Sequence, residues 1–217
     1  MGNIPFVLSL SKDQEWPPSE LLNRLYGQQA THIHPEERGA PPPNNLLTNR
    51  SLMEIRLGSL ARDAREAEGT VIIIDVFRAF TTAAIAFDHG ATRLVLVAEV
   101  EEALALHERG VGDLLMGEEG GKRPEGFDFG NSPYEISQVD LTGKSLVQST
   151  RAGTVGVAAA TRAESIYLGS FVVAEATVNA IRREDPPLVS IIAMGDHGLN
   201  RSDEDEHCAL YLRNLLE

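Results

Sequence analysis

The segment 117–133, GEEGGKRPEGFDFGNSP, brings together side chains that could carry out chemistry. It follows an apolar run that predicts a buried strand, and it holds the carboxylates Glu118, Glu119 and Asp128, the cations Lys122 and Arg123, and several glycines. A connection of this length inside a compact domain is usually functional or disordered. Acidic groups beside glycine amides suit a metal–phosphate site, although an exposed loop with solubilising charges is the simpler alternative.

The aromatic content and the end of this segment favour order. Phe127 and Phe129 are apolar anchors that a solvated tail would not need. Ser132, Pro133 and Glu135 fit a capping box with proline at the first helical position, so we expect a helix to begin there.

Polar and small residues also follow directly after other apolar runs of the chain. They occupy residues 75–78, 117–119, 148–151, 169–170 and 195–196. In open α/β sheets, ligands bind outside the carboxyl ends of the strands. We therefore expect these segments to converge on one site.

Each polar segment has a structural and a functional interpretation. Asp75 either caps the helix after it or serves as a magnesium ligand or phosphoryl-accepting nucleophile. Arg78 suits phosphate or carboxylate but equally suits an ion pair with Glu118. Residues 149–154 offer hydroxyls and glycine for an anion, whereas acids at 203–206 also suit the first turn of any helix.

Several familiar catalytic motifs are absent. There is neither a P-loop nor a G-x-S-x-G hydrolase motif. A haloacid-dehalogenase-type phosphatase would have an aspartate where this chain has Phe77. Cys208, without a neighbouring cation, is interpreted as a buried apolar residue.

Apolar runs alternate with helical patterns from Thr70 onward, which predicts an α/β fold with a largely parallel sheet covered on both faces. The predicted strands are Val71–Asp75, Leu94–Ala98, Leu114–Met116, Ser145–Ser149, Ile166–Leu168 and Leu188–Met194. The predicted helices are Ala79–His89, Val100–Arg109, Thr154–Thr161, Val172–Arg183 and Glu204–Leu216.

Residues 1–69 are richer in proline and are predicted to form a loop-rich extension of the domain at 70–217. Within the extension we expect a strand at Phe6–Leu10, a helix at Ser19–Gly27, a loop at 28–45 and a second helix at 46–68. His32 and His34 have no partners at ligand spacing and are interpreted as surface residues.

Charge and composition exclude some partners. The chain has 32 acidic and 19 basic side chains and a net charge of -13, which repels nucleic acid and anionic membranes. An anionic substrate would therefore need a divalent cation or clustered arginines. With one cysteine, no long apolar run and no basic segment before Phe6, we expect a cytoplasmic protein.

The polar segments, taken in order, resemble the magnesium-dependent 2-phosphosulfolactate phosphatases of coenzyme M biosynthesis. The matching motifs are Asp75–Thr82 (DVFRAFTT), Gly117–Glu118 with Gly120–Gly121, Gly126–Pro133 (GFDFGNSP), Ala152–Thr154 (AGT), Gly169–Ser170 and Glu204–Ala209 (EDEHCA). The resemblance covers residues 70 to 217. Glu119 and Arg151 depart from the usual pattern, and relatives usually continue beyond the last helix, so we expect the domain to be short there.

The resemblance implies a three-layer α/β/α fold and a Mg²⁺-dependent phosphatase, nominally converting (2R)-phosphosulfolactate to sulfolactate and phosphate. It implies catalytic roles for Asp75, Arg78, Glu118 and Asp128, and metal ligation by Asp75, Glu118, Asp128, Glu204 and Asp205. The implied substrate-binding residues are Asn131, Ser132, Ser149, Thr150, Gly153, Thr154 and Ser170.

Two other functions are consistent with the same residues. One is a non-catalytic protein that binds an anionic metabolite with the same fold. The other is an oligomeric scaffold whose proline-rich N-terminal segment binds a partner. An apolar face left open by a missing final element would be covered by residues 1–69 or by another subunit, so we expect a homo-oligomer.

Overall fold

A computed structural model describes residues 9–11 and 53–217 of the chain. The predicted helix at Ser19–Gly27, the loop at 28–45 and the pair His32 and His34 lie outside the described residues. The helices are α1 (Leu60–Glu66), α2 (Ala79–Asp88), α3 (Val100–Glu108), α4 (Pro133–Ile136), α5 (Gly153–Ala159), α6 (Ala174–Glu184) and α7 (Asp203–Leu216), with a 3₁₀ turn at Phe171–Val173.

The described strands form two sheets. They are β1 (Ser9–Ser11), β2 (Glu54–Ser59), β3 (Gly69–Ile74), β4 (Arg93–Val97), β5 (Leu114–Gly117), β6 (Ser145–Ser149), β7 (Ala163–Gly169) and β8 (Leu188–Ala193). One sheet has the order β1-β7-β3-β8-β2 and the other β4-β6-β5. Every pair is parallel except β1 with β7. The predicted largely parallel α/β fold is confirmed, but its strands are divided between two sheets.

Strand β3 is buried along its whole length because helices cover both of its faces. Val71 and Ile73 pack in one apolar cluster with Phe80 of α2. The alternate side chains Ile72 and Ile74 pack in a second cluster with residues of α6 and α7. Full burial of each such side chain stabilises the fold by about 1.5–3 kcal/mol. This arrangement is the expected α/β/α layering.

One element differs in kind from its prediction. The helix expected over 46–68 is replaced, within the described residues, by strand β2 and the short helix α1. Strand β2 is an edge strand that pairs only with β8, with Ile55 opposite Val189. Because β2 is partly exposed, it has no continuous apolar run, and the spacing of its few apolar side chains also fits one face of a helix. From residue 70 onward, the predicted helices and strands begin and end within a few residues of those found.

The carboxyl ends of the strands lie side by side. Main-chain hydrogen bonds join the residues that follow them: Asp75 N–H donates to Gly169 O, and Glu118 N–H donates to Ser149 O. Met194 N–H donates to Ile74 O at 3.0 Å. Because these bonds join neighbouring strand ends, the polar segments after the strands are held at one edge. No helix among the described residues has the length and apolar character needed to cross a membrane.

Gly117 allows the closest of these approaches. A Cβ atom at this position would lie 2.0 Å from the main-chain oxygen of Ser149. We expect Gly117→Ala to destabilise the protein by about 3 kcal/mol or more, because the obstructing atom is main chain and cannot rotate away. Urea denaturation measures this change in the free energy of unfolding.

Gly143→Ala is the matched control. Gly143 also has a positive φ, of 76°, but a Cβ there would meet nothing within 4 Å. We expect only backbone strain, on the order of 1 kcal/mol. Equal losses in the two variants would contradict the close approach at Gly117.

Candidate active site

A polar cavity of about 190 Å³ lies at the carboxyl ends of the strands. Residues that follow β3, β5, β6 and β8 line it, together with the first turn of α7. The lining residues are Asp75, Phe77, Arg78, Glu118, Gly121, Asn131, Arg151, Ala152, Gly195, Asp196, His197, Glu204 and Asp205. Four of the five predicted polar segments therefore converge, and the fifth, Gly169–Ser170, does not line the cavity.

Asp75 joins two helices at the base of the cavity. Its Oδ1 accepts a hydrogen bond from Ala79 N–H of α2 at 2.9 Å, and its Oδ2 accepts one from Gly153 N–H of α5 at 2.8 Å. The side chain is only 6% exposed. Burial raises the pKa of Asp75 to about 7, and the charges of Asp205 and Glu118 add to the effect. The capping role considered for Asp75 is real, and it coexists with exposure to the cavity.

Asp205 also accepts two main-chain hydrogen bonds, in its case from the turns after two strands. Its Oδ1 accepts from Val76 N–H and its Oδ2 from Gly195 N–H, both at 2.8 Å. Burial raises its pKa to about 6, with neighbouring Glu204 and Glu206 adding to the rise. The carboxylate of Asp205 therefore fixes the turns after β3 and β8 instead of stabilising only the first turn of its own helix.

Glu118 completes the pattern. Its Oε1 accepts from Arg151 N–H at 2.8 Å and its Oε2 from Gly121 N–H at 2.7 Å. Each of the three carboxylates thus accepts two main-chain N–H bonds, one on each oxygen. These bonds leave further lone pairs on the oxygens for a cation.

Two arginines lie among these acids. Arg78 is exposed, lines the cavity and forms no ion pair with any residue that the structure describes. The ion pair considered between Arg78 and Glu118 is therefore not formed. Arg151 lies beside Glu99 and Glu119, with its Nη1 at 3.9 and 3.8 Å from their carboxylates.

Two lining residues, Phe77 and His197, were assigned no role in the predicted site. Phe77 is 74% exposed at the cavity edge. His197 has φ 54° in the turn after β8, and its Nε2 lies 3.4 Å from Asp196 Oδ1. Phe77 lies three residues after β3, inside the expected segment 75–78, and His197 lies four residues after β8, one position beyond the expected segment 195–196.

Asp128 does not lie in the cavity. It is exposed, and its Oδ2 accepts a hydrogen bond from Leu115 N–H at 2.8 Å, which closes the loop 117–133 against β5. No group of three or more His, Cys, Asp and Glu side chains within residues 9–11 and 53–217 is arranged to hold a metal. Asp128 therefore does not join the other four predicted ligands in the cavity lining, and the predicted set of metal ligands stays a prediction.

The predicted substrate-binding residues divide into two groups. Asn131 lines the cavity, whereas Ser132 caps α4 by accepting from Glu135 N–H at 3.3 Å. Thr150 and Thr154 form hydrogen bonds with each other behind the cavity wall. Outside the lining are Ser132, Ser149, Thr150, Gly153, Thr154 and Ser170. Their part in binding a substrate stays a prediction.

The donor atoms fit a hard divalent cation. The lining supplies oxygen ligands from carboxylates, and the buried Asn131 Oδ1 has no hydrogen-bond partner among the described atoms. Mg²⁺ usually takes one or two carboxylates, with water and substrate phosphate completing its shell. A cation would also offset the repulsion among the clustered acids. The residues present therefore fit Mg²⁺ held by few protein ligands.

Comparison with known proteins adds an independent finding. Residues 59–217 match the family model described as 2-phosphosulpholactate phosphatase. A protein of Clostridium acetobutylicum named "Probable 2-phosphosulfolactate phosphatase" is 35% identical over 168 residues, which cover 76% of this chain and 71% of that protein. A Bacillus subtilis protein of the same name is 34% identical over 67% of this chain and 63% of its own length.

A Thermotoga petrophila protein with the same name is 36% identical over 59% of this chain. The match covers 55% of that protein. The chain thus spans less than two thirds of the length of the Bacillus and Thermotoga relatives.

The buried acids predict how stability depends on pH without metal. Because the pKa of Asp75 is raised from 3.8 to about 7, folding favours its protonated form, and this stabilisation is lost as the pH rises through about 7. In EDTA, we expect the free energy of unfolding to fall by up to about 4 kcal/mol between roughly pH 4 and pH 8. Asp75→Asn should reduce this fall in urea titrations.

Asp113→Asn provides the control. Asp113 is exposed, and hydrogen bonds from Ser145 lower its pKa, so its contribution is lost on acidification instead. We expect Asp113→Asn to retain the fall on raising the pH. An equally steep fall in the Asp75→Asn variant would show that Asp75 is not the responsible group.

Proposed function

The chain belongs to the 2-phosphosulfolactate phosphatase family, and we propose that it hydrolyses the phosphate monoester of a small sulfonated or carboxylated acid with Mg²⁺. The nominal substrate is (2R)-phosphosulfolactate, and the products are sulfolactate and phosphate. The observation that carries the proposal is the cavity, where locked carboxylates face an arginine that no described residue neutralises.

The charge balance of the cavity supports a cation-dependent reaction of an anion. Its lining holds five carboxylates, those of Asp75, Glu118, Asp196, Glu204 and Asp205, against the guanidinium groups of Arg78 and Arg151. A phosphate ester approaching this lining alone would be repelled. A bound divalent cation would offset most of this negative charge and present a positive centre to the phosphate.

One or two of the carboxylates of Asp75, Glu118 and Asp205, with the Asn131 amide oxygen, would hold Mg²⁺. When bound, the cation withdraws charge from the phosphoryl oxygens and so favours attack at phosphorus. Asp75 acts as a ligand in this proposal and not as a nucleophile, because both of its oxygens already accept main-chain hydrogen bonds. Such bonds stabilise the carboxylate and lower its nucleophilicity.

Arg78 supplies the second positive contact. Its exposed guanidinium lies at the end of β3, directly before the α2 N-terminus that Asp75 caps. A guanidinium presents paired N–H donors that match two phosphoryl oxygens. Arg78 therefore holds the phosphoryl group and stabilises the charge that develops on it during transfer.

One observation supports the alternative of a non-catalytic anion-binding homologue. The three clustered carboxylates all serve as acceptors for loop N–H groups, which by itself is a structural role. That protein would bind phosphate-containing acids without releasing phosphate. Turnover that depends on metal separates the two functions.

We expect wild-type protein to release phosphate from 2-phosphosulfolactate with Mg²⁺ and not with EDTA. Asp75→Asn should lower kcat by about 10²–10³, the usual cost of removing one group that stabilises transition-state charge. A malachite-green assay of phosphate release measures both effects. Asp113→Asn, an exposed carboxylate remote from the lining, should keep wild-type kcat.

Folded protein that binds the ester but releases no phosphate with Mg²⁺ would favour the binding homologue. Full activity in the Asp75→Asn variant would contradict the role given to this residue.

Assembly and location stay predictions. A homo-oligomer is supported by exposed apolar side chains on the far side of α7, including Tyr211 at 42% exposure, whose ring packs on Phe171. The negative net charge and single cysteine support a cytoplasmic protein. Sedimentation analysis of the purified chain determines its oligomeric state.

A further inference from the structure

Arg151 has a fixed main chain. Its N–H donates to Glu118 Oε1 at 2.8 Å, and the residues on either side of the loop, Thr150 and Gly153, are buried. Glu118 is in turn fixed through Gly121 N–H. The Cα end of the Arg151 side chain is therefore held at the cavity wall, even when its guanidinium moves.

The guanidinium itself is only loosely held. Its Nη1 lies 3.9 Å from Glu99 Oε2 and 3.8 Å from Glu119 Oε1, which are ion-pair distances beyond hydrogen-bond length. It donates no hydrogen bond to any group in the described part of the chain. The side chains of Glu99 and Glu119 are 64% and 58% exposed, and ion pairs this exposed contribute little. An anionic ligand group can therefore displace these two weak ion pairs and accept hydrogen bonds from the guanidinium.

Glu119 is held near this position by its own turn. Glu119 N–H donates to Lys122 O, and Lys122 N–H donates back to Glu119 O. The main chain of Glu119 is therefore fixed close to Arg151, and its carboxylate competes with an anion for the guanidinium. A ligand group must carry negative charge to displace it.

We propose that Arg151 determines substrate specificity by binding the acid group of the substrate that is not the phosphate. This inference rests on the proposed phosphatase function and assigns a second role beside that of Arg78. The two arginines follow different strands, β3 and β6, and line one cavity, so one ligand can meet both. Only a ligand with a carboxylate or sulfonate can replace Glu99 and Glu119 at Arg151. Arg151 therefore adds no affinity for monoesters with an uncharged tail.

The test compares 2-phosphosulfolactate with p-nitrophenyl phosphate, whose tail carries no acid. We expect Arg151→Gln to raise KM for 2-phosphosulfolactate by about 10- to 100-fold, with little change in kcat, because a charge-assisted contact is lost from binding. KM for p-nitrophenyl phosphate should stay unchanged. Arg151→Lys should restore part of the affinity, since it keeps the charge without the planar donors.

Glu119→Gln should act in the opposite direction. Removing the competing charge is expected to lower KM for 2-phosphosulfolactate about two- to threefold, as for an exposed ion pair. The Arg151 substitutions keep the main-chain bond to Glu118, so their unfolding midpoints should match that of wild type. Equal KM changes for both esters, or a loss confined to kcat, would overturn the proposal.

Calorimetric titration with sulfolactate separates failure of this inference from failure of the phosphatase function. Weaker binding to the Arg151→Gln variant than to wild type supports Arg151 as the acid-binding residue even if neither ester is hydrolysed. Identical sulfolactate affinities in the two proteins would overturn the inference even if phosphatase activity is found.

Discussion

Carboxylates at the cavity that accept main-chain N–H bonds from separate segments of the chain are the interaction on which this site depends. Asp75 links α2 to α5, Asp205 links the turns after β3 and β8, and Glu118 links the loop after β5 to the one after β6. A charge moved out of water needs such donors to remain ionised. The same bonds bring together loops that the strands alone would leave independent.

This arrangement destabilises the protein when no metal is bound. Burial raises the pKa of Asp75 and Asp205 towards neutrality, so two negative charges close together are only partly tolerated. The proposed cation would offset that repulsion, and its binding would then stabilise the folded chain. The same carboxylate oxygens would thus affect both the stability of the metal-free protein and the proposed binding of a cation.

The sequence alone was enough to predict most of the helices and strands, but only part of the site. The βαβ alternation and the rule that ligands bind at carboxyl ends of strands were enough to select Asp75, Arg78 and Glu118, whereas Asp205 was implied only by the resemblance to the family. They were not enough for Asp128, because the direction of a loop side chain depends on tertiary hydrogen bonds such as the one from Leu115. Strand β2 was missed because a half-exposed edge strand has no continuous apolar run, and the division into two sheets depends on pairings distant in sequence.

The position of Asp205 in the last helix has a consequence for biosynthesis. The turn that Asp205 fixes after β3 lies 129 residues before it in the chain and is therefore translated long before α7. Helix α7 also covers one face of the central sheet. A fragment that ends before residue 203 would therefore lack part of the apolar cover of the sheet, one wall of the cavity and one of its three clamping carboxylates.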